Sequence, residues 1–177
     1  MHASIGAMAR ELLLLRHAKS DWETGAASDF DRPLARRGKE QAPLVGRWLR
    51  AQGLVPDDVV SSPAKRARQT VKRTCETLGF DLDHVRWDPR IYEGAPGDLL
   101  AVLSGSPPTA GRVLLVGHNP GLEQLLSYLW GDARALPADG KLLPTAAVAR
   151  IELPDDWTVL DYGSGRLISL TRPADMG

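Results

Sequence analysis

The chain contains one cysteine, Cys75, so no intrachain disulfide can form and nothing points to an oxidising compartment. Cys75 falls in a helical stretch and reads as a small core residue. Long apolar runs are also missing. Leu12–Leu15, the longest near the N-terminus, is too short for a signal-peptide core or a spanning helix. Net charge is absent as well: 22 basic and 22 acidic residues balance, so global charge argues for neither nucleic acid nor membrane. No Walker A loop occurs, and Gly163-Ser164-Gly165 lacks the third glycine and following helix of a dinucleotide site. The four histidines show no HxxxH or HExxH spacing. A metal held by His17 and His118 is conceivable, but no metal or cofactor is expected. These absences lead to the expectation of a cytoplasmic protein.

What is there is a globular composition, 43% hydrophobic and 25% charged, in a chain too short for two ordinary domains. Residues 1–9 read as a flexible leader, with Met8 a second candidate start, and 10–173 as a single domain. Glu11–Leu15 is a continuous apolar run of strand length. Trp22–Pro33 is polar loop. Arg36–Gln52 carries Ala42, Val45, Trp48 and Leu49 at helical spacing and stops at Gly53. Val59-Val60 is a second strand, and Ser62-Pro63 forms an N-cap and N1 pair opening a helix to Leu78, closed by Gly79. His84–Trp87 is a weak strand, Pro96–Leu103 a short helix, and Ser104–Gly111 a turn region. Arg112–Val116 is the clearest strand, followed by a helix from Pro120 to Trp130. Ala146–Leu153 and Val159–Leu170, with a turn at Gly163–Gly165, read as strands without helices between them. Alternating strands and helices predict an α/β fold, a mostly parallel central sheet covered on both faces, with an antiparallel C-terminal addition.

In such sheets, ligand sites gather at the carboxyl ends of strands. Three strands here end in chemistry-bearing groups: Arg16-His17, then Ser61-Ser62 with Arg66 one turn beyond, then His118-Asn119. A lone histidine after a strand is most often structural, and a lone arginine most often a surface group. Together, however, two guanidinium forks match the oxygens of a phosphoryl group. The helix after Pro120 adds backbone dipoles. One imidazole is suited to act as nucleophile, and a second, if protonated, to stabilise transferring oxygens. Arg32–Arg73 holds eleven Lys/Arg against Glu40, Asp57 and Asp58. That excess is either a set of solvated helix faces or a field that attracts a phosphorylated substrate. Pattern alone leaves phosphoryl chemistry and an unspecified α/β binding domain both open.

Leu12–Trp22, with Arg16-His17-Ala18-Lys19-Ser20-Asp21-Trp22, resembles the signature of the histidine phosphatase superfamily, and its SixA-type phosphohistidine phosphatase branch in particular. Asp29-Phe30-Asp31-Arg32-Pro33-Leu34 with Arg37-Gly38 resembles that branch's loop into its first helix. Ser61–Thr70 is similar to the second superfamily motif and Val116–Pro120 to the third. Three motifs in order across residues 10 to 130 are specific where a single Arg-His pair would not be.

The resemblance implies a phosphoglycerate mutase-like α/β/α sandwich and a cofactor-free phosphatase. His17 would be the phosphorylated nucleophile, with Arg16, Arg66 and His118 forming the charged pocket and Asn119 beside it without a catalytic contact. The tripeptide has Ala18 where the wider superfamily has glycine. Glu23 stands where mutase-like relatives carry a phosphate-contacting asparagine, which argues against a sugar-phosphate mutase. Glu93 lies where relatives place an acidic proton donor. An alkoxide leaving group needs such an acid more than an imidazole does, and Pro89–Gly111 is too short for a large helical lid. The expected substrate is therefore a phosphohistidine-bearing protein. The alternatives are a small phosphorylated molecule hydrolysed by the same chemistry, or a phosphate-binding module without turnover.

Overall fold

The computed structural model describes residues 9–131 and 139–177. The expected leader lies outside the described residues except for Ala9. β1 (Arg10–Arg16), α1 (Arg36–Ala51), β2 (Asp58–Ser61), α2 (Lys65–Leu78), β3 (Arg86–Trp87), α3 (Pro96–Ser104), β4 (Arg112–Gly117), α4 (Gly121–Trp130), β5 (Val148–Leu153) and β6 (Arg166–Thr171) follow in order. The six strands form one sheet in the order β3-β2-β4-β1-β5-β6. Pairs from β3 to β1 are parallel, while β1-β5 and β5-β6 are antiparallel. The fold is the expected mostly parallel α/β sandwich with an antiparallel addition.

The leucine run explains the layering. A strand points successive side chains to opposite faces, so a strand buried on both sides needs apolar residues throughout. Leu12 and Leu14 enter the core beneath α3 and α4. Leu13 and Leu15 enter the one beneath α1 and α2. All four are fully buried. On α1, Gly38, Ala42, Val45, Gly46 and Leu49 form the buried face. On α2, Ala67, Val71, Cys75 and Leu78 do so, and Gly79 closes the helix with φ 86°.

Three local expectations are corrected. The second helix starts at Lys65 with Ala64 as N-cap, not at Pro63. Ser62 thus lies two residues before the cap, where its hydroxyl accepts from the Ala64 N–H at 3.1 Å and also meets His118 Nε2 at 2.7 Å. The third strand shrinks to Arg86–Trp87, since Leu82–His84 forms a 3₁₀ turn capped by the Asp81 side chain. The last strand starts only at Arg166. Before it, buried Trp157 donates to the Ala110 carbonyl at 2.8 Å and Leu160 packs into the core, holding the chain off the sheet.

Candidate active site

The strand order brings the three motifs together. Arg16 pairs with Gly117 across β1 and β4, and Ser61 with Val116 across β2 and β4. The next residues continue the ladder: His17 N–H donates to the Gly117 carbonyl and Ser62 N–H to the Val116 carbonyl, both at 3.0 Å. Ser62, His118 and His17 therefore leave three adjacent strands at one edge. Their neighbours line a cleft of about 720 Å³ that includes Arg16, His17, Arg66, Glu93, His118 and Asn119.

His17 is 5% and His118 8% exposed, with ring centroids 5.2 Å apart. His17 Nδ1 lies 2.8 Å from the Ala18 carbonyl, which can only accept, so Nδ1 carries the proton and Nε2 keeps a lone pair. Arg66 Nε donates to that Nε2 at 3.4 Å. Burial, aided by His118, Arg66 and Arg16, pushes the His17 pKa down to about 3, so the ring is neutral near pH 7. His118 is likewise pushed to about 3, chiefly by burial and then by Arg66. A phosphoryl group beside His118 would bring negative charge to the ring and favour its protonation. His118 Nδ1 and Arg16 Nε are buried without a hydrogen-bond partner among the described residues.

Backbone geometry holds the nucleophile candidate in place. Ala146, with φ 60°, donates its N–H to the Arg16 carbonyl at 3.0 Å and the His17 carbonyl at 3.2 Å. Ala18 N–H donates to Thr70 Oγ1, whose hydroxyl donates to the Arg66 carbonyl, joining the first motif to α2. Arg16 reaches the Leu143 carbonyl at 3.4 Å, and the Asn119 side-chain amide donates to the same carbonyl at 2.8 Å. Glu93 borders the cleft as an exposed residue with φ 56°, a backbone state costly for a non-glycine residue and common at functional turns.

The cleft also holds residues to which the sequence assigns no individual role. Asp29 accepts from Arg66 Nη2 at 3.0 Å, and its carbonyl accepts from Arg66 Nη1 at 2.7 Å. Tyr92 Oη donates to Asp29 at 2.8 Å, and Arg32 donates to its other oxygen. The Tyr92 bond, with Arg66 and Arg32, holds Asp29 at about 2, so it stays a carboxylate. The Asp29–Leu34 stretch was a recognisable motif. Its reach across the cleft depends on how an irregular loop packs, which no periodicity encodes.

The arrangement can accept an anion between two guanidinium groups and present a neutral imidazole nitrogen to it. The model of the histidine phosphatase superfamily (branch 1) matches residues 12–102. An uncharacterised protein of Mycobacterium tuberculosis H37Rv is 35% identical over 163 residues, covering 90% of this chain and 99% of that protein. The phosphohistidine phosphatase SixA of Escherichia coli K12 is 34% identical over 147 residues, covering 82% and 86%. The SixA structure from Nakamurella multipartitia superposes with a TM-score of 0.79 at 30% identity, covering 93% of this chain and 96% of that one. No described helix is long and apolar enough to cross a membrane. The family match ends before the third motif, yet the sheet brings His118 beside His17, and the chain belongs to the histidine phosphatase superfamily, in its SixA-type branch.

Proposed function

We propose that this chain is a phosphohistidine phosphatase that dephosphorylates a protein through a phosphorylated His17. The observation that carries the reading is the neutral His17 ring, its Nδ1–H given to Ala18 and its Nε2 turned to Arg66. In the first step Nε2 forms a bond to phosphorus while the bond from phosphorus to the substrate's imidazole nitrogen breaks. The departing imidazole keeps the electron pair of the broken bond and takes a proton from water at the mouth of the cleft, and phospho-His17 keeps its Nδ1–H on the Ala18 carbonyl. Water then attacks phosphorus, the bond to Nε2 breaks, and inorganic phosphate leaves with the neutral ring restored. Arg16, Arg66 and His118 stabilise charge on the transferring oxygens.

Two features favour phosphohistidine over an ester. Glu93, the acid available for an ester's alkoxide, is exposed on a loop rather than held by a partner in the cleft. Between β3 and β4 the chain has one α-helix, α3, of nine residues, packed against α4, and among the described residues no large helical lid lies between these strands, which suits a side chain presented by another protein. A small-molecule phosphomonoesterase is the second reading, and Glu93 at the cleft is the feature in its favour.

The test is to mix the protein with a histidine-containing phosphotransfer domain phosphorylated on its histidine and follow phosphate release. His17→Ala is expected to reduce release at least about 1,000-fold and to abolish acid-labile phosphate trapped on the enzyme. Full activity in that variant overturns the mechanism.

A further inference from the structure

Trp22 is the most exposed large hydrophobic side chain among the described residues, at 71%, and it stands at the rim of the cleft. It is not a detached surface ring. The Arg32 guanidinium lies over it, with Cζ 3.6 Å from the ring centroid. Arg32 is itself buried, donating to Asp29 Oδ1 from Nε at 3.3 Å and Nη2 at 3.1 Å, and to Ser20 Oγ from Nη1. Asp29 holds Arg66, and Arg66 faces His17 Nε2. Two guanidinium groups and a carboxylate thus stand in the line of contacts from indole to nucleophile. A phosphoryl group on His17 meets Arg66 first, and the indole is left for whatever carries that group.

The surroundings say what kind of carrier fits. Lys19 is exposed on the same rim, and its carbonyl accepts from the Ala35 N–H at 2.9 Å. That contact sets the first turn of α1, with exposed Arg36, Arg37 and Lys39, alongside. Those four exposed cations, with the buried Arg32 and Arg66, stand against four exposed carboxylates, Glu23, Asp29, Asp31 and Glu40; Asp29 is held by Arg32 and Arg66, and Glu40 is paired with Arg36 at 3.7 Å. A large ring on a fixed cation loses little freedom when covered, and tryptophan and arginine dominate the energetics of protein interfaces.

We infer that Trp22 is the docking anchor for the protein that carries the phosphohistidine, and that the carrier meets it with an acidic face. This inference rests on the function proposed above. Trp22 sets selectivity between a phosphoprotein and a free phosphoramidate while the phosphoryl pocket does the chemistry common to both.

The experiment compares wild type with Trp22→Ala on two substrates, the phosphorylated phosphotransfer domain and free phosphoimidazole. The ratio of the two kcat/KM values, protein over phosphoimidazole, is expected to fall about tenfold through KM for the protein, with Trp22→Phe restoring part of it. An unchanged ratio overturns the docking role, whether both rates fall together or neither does. If wild type hydrolyses phosphoimidazole but not the phosphoprotein, the protein-substrate reading fails and the anchor fails with it. Turnover of both substrates with an unchanged ratio removes only the anchor.

Discussion

At the residue scale, two buried imidazoles dominate the site's response to pH. His17 and His118 titrate at about 3 in the folded chain against 6.5 ordinarily, so protons bind the unfolded chain first. The stability gained by keeping these rings neutral is complete above about pH 6.5 and is lost as the pH falls towards 3. The urea midpoint of the wild type should therefore drop between pH 7 and pH 4.5, and less steeply in His17→Asn, which has one titrating ring fewer. Parallel pH profiles would show that the His17 ring is not responsible. Glu93 allows a second test at this scale. Removing its acidity with Glu93→Gln should leave phosphohistidine turnover within about threefold, because imidazole departs readily, while any alkyl phosphate turnover is lost. Equal loss on both substrates would assign Glu93 a role in the phosphohistidine reaction too.

At the element scale, the site depends on how closely α1 approaches the loop after β1. Gly38, in the first turn of α1, abuts the Lys19 carbonyl, and a methyl group there would overlap that backbone. Helix propensity alone predicts that Gly38→Ala gains about 1 kcal/mol. Overpacking against a backbone carbonyl costs about 1–3 kcal/mol, so the overlap should win and Tm should fall by several degrees. Because Lys19 is two residues beyond His17, kcat/KM should fall with it. Thermal melts and kinetics on the one variant check both, and a Tm at or above wild type would rule out the steric account. The same close fit explains why the Asp29–Leu34 motif is more than a connector. Its residues bridge Ser20, Arg66 and the start of α1, through Arg32, Asp29 and the Ser20–Leu34 bridge.

At the scale of the whole molecule, zero net charge conceals an asymmetry. Among the cleft-lining residues, Arg16, Lys19, Arg32 and Arg66 outnumber Asp29 and Glu93. Such a field raises encounter rates with anionic substrates and is screened by salt. Raising ionic strength from about 20 mM to about 300 mM, where the screening length drops below about 10 Å, should lower kcat/KM for the phosphoprotein several-fold. A flat profile in stopped-flow or phosphate-release kinetics would show that the excess of cations does not assist association.

Much of this is legible in the sequence, because it is encoded locally. The unbroken Leu12–Leu15 run announces a strand buried on both faces, Gly79 ends a helix through its φ of 86°, and three motifs each join a strand to its chemistry. The tertiary structure decided the rest. Only the order β2-β4-β1 makes Ser62, His118 and His17 neighbours, and only then does the Ser62 hydroxyl meet the His118 ring. The neutrality of His17 comes chiefly from burial, aided by His118 and Arg66 from distant segments and by the adjacent Arg16, and the Asp29–Arg32–Trp22 rim from the packing of an irregular loop. Periodicity and turn chemistry report interactions between residues a few positions apart. Pairing of strands, desolvation of a ring and closure of a loop arise between residues far apart in sequence, and those interactions exist only once the sheet has formed.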